Sequence, residues 1–178
     1  MKYYYIHGYG STGERTYNGL KNAGLNELQL VKWTSDLPYN ETINEASRQI
    51  SLSDDVCIIA SSFGGYIAAH LKYKGMAQFV LVNPLIDVYN QFYLGNYSKT
   101  FTKDVAETYI NKSDTIRFKG YPITIMLAKN DEVLDYRIAR DFYKTTSEIK
   151  YISGGHVLMD YKTVVDEIKL NEGNLPLL

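Results

Sequence analysis

At 178 residues, 45% hydrophobic and 22% charged, the chain is long enough to bury a sizeable core and fits one domain. A net charge of −1 gives no electrostatic reason to expect nucleic acid or an anionic membrane as partner, and the single Cys57 excludes a disulfide framework within the chain. No stretch is long enough to span a bilayer and the Met1–His7 run is too short for a secretory signal, so the expected location is the cytoplasm.

Tyr3-Tyr4-Tyr5-Ile6 is a β-prone run that ends in a glycine-rich loop, His7 to Gly13. A helix is expected over Glu14–Ala23, stopped by Gly24, and a second strand over Leu28–Val31. Asn40 can cap the next helix, where Ile43, Ala46, Ser47 and Ile50 follow the i, i+3, i+4, i+7 pattern. Val56–Ala60 reads as a third strand, Tyr66–Tyr73 as a helix and Gln78–Val82 as a fourth strand, ended by Asn83-Pro84. From Leu85 to about Lys119 the pattern breaks down, with one short helix near Asp104–Ile110. The segment reads as a lid-like insertion over the strand ends within a single domain spanning 1–178. Pro122–Ala128 resumes as strand five, and Asp135 can cap a helix running to about Tyr143. Ile149–Ile152 is strand six, and a last helix starts near Asp160. The tail from Asn171 is polar, then Leu- and Pro-rich, and is expected to pack loosely. Strands that alternate with helices and are apolar on both faces imply a parallel sheet covered on two sides, a three-layer α/β/α sandwich. Such sheets bind ligands beyond the carboxyl ends of their strands.

Every chemically suggestive residue follows a strand, and so falls on that one rim. Ala60-Ser61-Ser62-Phe63-Gly64-Gly65 joins strand three to a helix through small residues, the context of a nucleophile elbow, small-x-Ser-x-Gly. Ser62 fits the frame, flanked at two residues by Ala60 and Gly64. Ser61 does not, flanked by Ile59 and Phe63. The bland alternative is a serine that merely caps the helix. Asp131 follows strand five and His156 follows strand six, which completes the order Ser, Asp, His. A serine hydroxyl is a poor nucleophile until a base takes its proton, and histidine, ordinarily titrating near pH ~6.5, suits that task. The aspartate would fix the imidazole tautomer and stabilise the imidazolium. The oxyanion donors expected are the backbone N–H of Phe63 and one from the loop after strand one, Tyr9 ahead of Gly10.

Competing residues have simpler roles. Asp135 reads as a helix cap and Glu132 as a solvated loop charge; His70 reads as a packing residue and His7 as a shaper of the oxyanion loop. Cys57 reads as inert core. No His or Cys pair has metal-ligand spacing, so no metal is expected.

The chain resembles the α/β-hydrolases, and more closely the YqiA-like family of small bacterial esterases. The matching pieces are Tyr5–Ser11, Ser61–Tyr66, Val82-Asn83-Pro84, Tyr93-Leu94-Gly95, Asp131–Arg137 and Gly154-Gly155-His156. The resemblance implies a six-stranded parallel sheet in order 2-1-3-4-5-6 and a cytoplasmic, cofactor-free carboxylic-ester or thioester hydrolase. It implies Ser62, Asp131 and His156 as its triad. Two departures stand out: Ala60 opens the elbow where the wider fold usually has Gly, and Gly155 precedes His156 where the family commonly has an acidic residue. The expected partner is a small acyl ester or thioester, with Phe92, Tyr93 and Tyr97 as candidate pocket lining or simply as packing of the insertion. Two alternatives belong to other classes. Gly8 to Gly13 reads Gly-x-Gly-x-x-Gly, a dinucleotide fingerprint, but strand two ends Val31-Lys32-Trp33 without the acidic residue that holds a ribose. The other is a hydrolase-like chain that serves as a non-catalytic interaction module.

Overall fold

A computed structural model describes residues 1–93, 101–112, 118 and 120–173. Its six strands are β1 (Lys2–Ile6), β2 (Leu28–Val31), β3 (Val56–Ser61), β4 (Ala77–Val82), β5 (Ile123–Ala128) and β6 (Glu148–Ile152). All neighbours pair in parallel, in the order β2-β1-β3-β4-β5-β6. The helices between them are α1 (Glu14–Asn22), α2 (Tyr39–Gln49), α3 (Phe63–His70), α4 (Val88–Tyr93), α5 (Lys103–Ile110), α6 (Tyr136–Tyr143) and α7 (Tyr161–Gly173). Among the described residues no helix is long and apolar enough to cross a membrane.

The period-2 alternation of the strands divides the core into two layers. Tyr4, Ile6, Ile58, Phe79, Leu81, Ile125 and Leu127 pack under α2, α3, α5 and α6. Tyr5, Cys57, Ile59, Val80, Val82 and Met126 face Leu20 of α1 and Val164, Val165 and Ile168 of α7. With both faces covered, every residue of β4 and β5 is buried, which is why these segments read as unbroken apolar runs. The edge strands β2 and β6 are half exposed. The chain leaves β1 in one direction to form β2, and β3 lies on the other side. The carboxyl ends of β1 and β3 therefore adjoin at a switch in strand order, where such sheets open a crevice.

Three expectations differ in detail. Helix α2 starts at Tyr39 rather than after an Asn40 cap, because Pro38 presets an extended entry and the Tyr39 N–H donates to Thr108 Oγ1 of α5, 3.0 Å away. A tertiary partner replaces the local cap. The helix after the elbow starts at Phe63 and ends at His70, earlier at both ends than its apolar pattern suggests. Helix α7 continues through Asn171 to Gly173, since the Asn171 amide donates to Thr124 Oγ1 of β5 and to Glu167 Oε1, each at 3.1 Å.

The described part of the segment between β4 and β5 packs on the elbow helix through aromatic rings. Phe92 stands edge-on to Phe63 at 6.0 Å between centroids, stacks on Tyr109 at 5.5 Å and meets Phe101 at 4.5 Å. The Tyr66 hydroxyl donates to the Tyr109 carbonyl at 2.8 Å, tying α3 to α5.

Candidate active site

Ser62 stands between β3 and α3 with φ 52° and ψ −123°, a conformation that costs a non-glycine residue roughly 1–3 kcal/mol. Three backbone hydrogen bonds hold it there. Its N–H donates to Val82 O at 3.0 Å, and its carbonyl accepts from Gly65 N at 3.0 Å and Leu85 N at 3.1 Å. Its hydroxyl makes no cap bond to the helix, so the bland capping role does not apply. The turn tolerates this geometry because its neighbours are small. A Cβ on Gly64 would drive into the carbonyl oxygens of Ile6 and His7, and one on Gly8 would come within 3.1 Å of Ser62 Cβ. Since backbone cannot yield as a flexible side chain can, Gly64→Ala is expected to cost about 3 kcal/mol or more in chemical denaturation.

The other two rim loops reach the same point. His156 Nε2 lies 3.1 Å from Ser62 Oγ, and His156 Nδ1 lies 2.9 and 3.0 Å from the two oxygens of Asp131. The Asp131 side chain is 1% exposed, and its Oδ1 also accepts the N–H groups of Val133 and Leu134 at 2.8 Å each, which fixes its rotamer. His156 rides at the tip of a tight turn closed by an antiparallel bridge between Gly154 and Leu158, with Gly154 at φ 110°.

Two residues that hold this turn, Asn83 and Glu132, are not among the predicted site residues. Asn83, 3% exposed, ends β4 in a left-handed conformation at φ 44°. Its Nδ2 donates to the carbonyls of Gly155 (3.1 Å) and His156 (3.2 Å), and its Oδ1 accepts from Ala128 N at 2.8 Å. One amide thus links the ends of β4 and β5 to the histidine turn. The available sequence signal is an asparagine, a residue that tolerates positive φ, at a strand end on the candidate rim. Glu132 is an exposed loop charge, as expected, but it also has a partner. Its Oε2 accepts the His156 backbone N–H at 2.9 Å, and that bond, first among several influences, holds its carboxyl below the usual glutamate range. A Cβ on residue 155 would strike this carboxylate and shift it from its bond to the His156 N–H.

The loop after β1 is braced from below. The Trp33 indole stacks on His7 at 5.0 Å and donates to the His7 carbonyl at 3.2 Å, while His7 Nδ1 lies 2.9 Å from Gly8 O. Burial pushes the His7 imidazole below its ordinary value, against a smaller opposing effect of that carbonyl. Tyr9 meets the Phe63 ring edge-on at 6.3 Å, so the two candidate oxyanion residues are neighbours. The Gly10 N–H, a donor that a dinucleotide phosphate would need, is given to Ser35 Oγ at 2.9 Å. His70 is buried, with Nδ1 2.7 Å from Tyr66 O and Nε2 2.9 Å from Lys112 O, away from Ser62. Burial in β3 pushes the Cys57 thiol up to about 12, leaving it protonated. Among the described residues no cluster of acidic, His or Cys side chains could hold a metal ion.

A cavity of about 380 Å³ opens at Ser62 and His156. Its walls differ from those expected. Among the described residues it is lined, besides Ser62 and His156, by Tyr5, Gly8, Tyr9, Ser11, Thr16 and Ser61 and by Val133, Val157 and Leu158. Phe92 does not line it, because this ring is 2% exposed inside the aromatic cluster on Phe63. Tyr93 does not either; it is 36% exposed and packs on Tyr89 at 4.9 Å between centroids. Tyr97 lies outside the described residues.

Residues 2–170 match the family described as Uncharacterised protein family (UPF0227). Among solved structures the chain is similar to Est1E from Butyrivibrio proteoclasticus, with TM-score 0.71 and 12% identity over 97% of this chain and 86% of that one. It is also similar to the esterase domain of a Rhodothermus marinus protein, with TM-score 0.68 and 11% identity over 97% and 86% of the two chains. A third similar structure is an alpha/beta superfamily hydrolase from Oenococcus oeni PSU-1, with TM-score 0.65 and 16% identity over 97% and 92%. At such identities the likeness shows the fold, an α/β-hydrolase sheet with its helices.

Proposed function

The chain belongs to the UPF0227 family, and on that footing we propose that it is a serine hydrolase of acyl esters or thioesters, needing no cofactor. The observation that supports this most is the unbroken contact from Ser62 Oγ through the His156 ring to the Asp131 carboxylate, contributed by three separate rim loops. In this reading Ser62 Oγ attacks the acyl carbonyl carbon while His156 Nε2 takes its proton. Asp131 keeps the remaining ring proton on Nδ1 and stabilises the imidazolium. The backbone N–H groups of Phe63 and Tyr9 receive the negative charge of the tetrahedral intermediate, helped by the N-terminal end of α3. His156 then returns the proton to the leaving alcohol or thiol, and a water, deprotonated by the same imidazole, releases the acid and restores Ser62. Esterase and hydrolase labels on the similar structures agree with this chemistry.

Turnover of 4-nitrophenyl acetate tests the reading. The wild type is expected to release nitrophenolate, and Ser62→Ala to fall to the rate of the buffer. A well-folded wild type with no turnover would favour the non-catalytic interaction module. Acid is expected to slow the reaction, because a protonated His156 cannot act as base. Glu132 acts in the same direction. Its folded value is depressed, so its tether to the His156 turn is complete above the ordinary glutamate range and is lost as pH falls through the depressed value. A rate unchanged down to strongly acid pH would contradict the assignment of His156 as base.

A further inference from the structure

The floor of the cavity beside Ser62 is made of hydroxyls, which an acyl pocket for plain hydrocarbon chains does not need. The Tyr5 hydroxyl lies 2.7 Å from Ser61 Oγ, and the Thr16 side chain lines the same cavity. Tyr5 is 2% exposed and Thr16 8%, whereas Ser61 is only half-buried and opens into the cavity. Burial, ahead of the opposing hydrogen bonds, raises the Tyr5 phenol above its ordinary value, so it stays protonated and remains a donor. The two hydroxyl protons of Tyr5 and Ser61 then serve one internal bond; the buried phenol donates it, and the Ser61 proton is left to face the cavity.

Strand order says which part of a substrate would meet it. Tyr5 is on β1 and Thr16 on α1, on one side of Ser62, while His156 arrives from beyond β6 on the other. The leaving group must face His156 Nε2 to be protonated. The hydroxyl floor, on the β1 side of Ser62, is open to the acyl group. Ser61 and Ser62 are adjacent, with Cα atoms about 3.8 Å apart, so a group only a few bonds from the scissile carbonyl reaches the Ser61 hydroxyl.

Resting on the serine-hydrolase reading, we propose that Tyr5, Ser61 and Thr16 form an acyl subsite that selects short acyl groups carrying an ether, keto or hydroxyl oxygen about three bonds from the carbonyl carbon. An unbroken alkyl chain would cover the free donor without replacing its water, and sites built to hydrogen-bond a substrate oxygen discriminate strongly against analogues that lack it.

The test compares 4-nitrophenyl 3-methoxypropanoate with 4-nitrophenyl pentanoate, which differ by one oxygen in place of one methylene. Each kcat/KM is divided by the ester's own alkaline hydrolysis rate. The ether ester is expected to be favoured by about tenfold or more in the wild type. Ser61→Ala should bring the ratio near one, and Ser61→Thr, which keeps the hydroxyl, should retain it. If Ser61→Ala does not fold, Tyr5→Phe serves instead and should lower the ratio by removing the group that orients Ser61. Equal or better use of pentanoate by the wild type would overturn the subsite, as would a ratio unchanged in Ser61→Ala or Tyr5→Phe. A preference that appears only with the oxygen on the alcohol side, 2-methoxyethyl acetate over butyl acetate, would overturn its acyl-side placement. Covalent capture of Ser62 by a fluorophosphonate separates the two levels. A captured enzyme that prefers pentanoate loses the subsite alone, and an uncaptured one loses the hydrolase reading.

Discussion

His156→Ala is expected to lower kcat on 4-nitrophenyl acetate by about 10⁴-fold or more, with little change in the unfolding midpoint. The two halves of this expectation have separate causes. The imidazole is the only group in hydrogen-bond contact with Ser62 Oγ among the described residues, so its removal leaves the hydroxyl without a base. Its side chain is 17% exposed, and the buried Asp131 carboxylate keeps two backbone donors without it, so the cost to folding should be about 1 kcal/mol. Because nucleophile and base act as a unit, adding Ser62→Ala to the same variant should reduce the rate little further. Steady-state kinetics beside a urea titration check both halves. A large loss of stability, or a double variant far slower than either single one, would point to a structural role for His156.

Asn83→Asp exchanges one amide nitrogen for an oxygen, and it is expected to cost about 10²-fold in kcat together with about 2–4 kcal/mol of stability. Asp tolerates the positive φ at this position and can still accept the Ala128 N–H. The new oxygen, however, would face the carbonyls of Gly155 and His156 in a site only 3% exposed. Repulsion there should push the histidine turn away from Ser62 while leaving the cavity walls from β1, α1 and β3 in place. The loss should accordingly fall on kcat more than on KM. Kinetics on Asn83→Asp and Asn83→Ala at fixed pH check this. If both variants keep wild-type kcat, the amide does not position the turn.

Strand positions were readable because β3, β4 and β5 are buried on both faces, which leaves continuous apolar runs between loops, whereas the strand order rested on the family resemblance. The rim residues were readable for the same reason. Ser62 and Asp131 each follow such a run, His156 follows the half-exposed edge strand β6, and parallel pairing brings all carboxyl ends to one edge. What the sequence hid depends on contacts across the chain. The start of α2 is set by Thr108 of α5, and the role of Glu132 by a backbone N–H 24 residues away. Phe92 looked like pocket lining because aromatic residues serve equally as walls and as packing; only its place against Phe63, Phe101 and Tyr109 decides between them. Ser61 does not fit the elbow frame, yet the alternation of β3 turns its side chain toward Tyr5, on the face opposite Ala60.

Reaction with a fluorophosphonate, followed by mass spectrometry of the digested protein, addresses the central claim most directly. A single adduct on Ser62 is expected in the wild type. It should be absent in Ser62→Ala and much slower to form in His156→Ala. An intact, folded chain left unmodified, or modified at a residue other than Ser62, would contradict a catalytic role for the three rim loops.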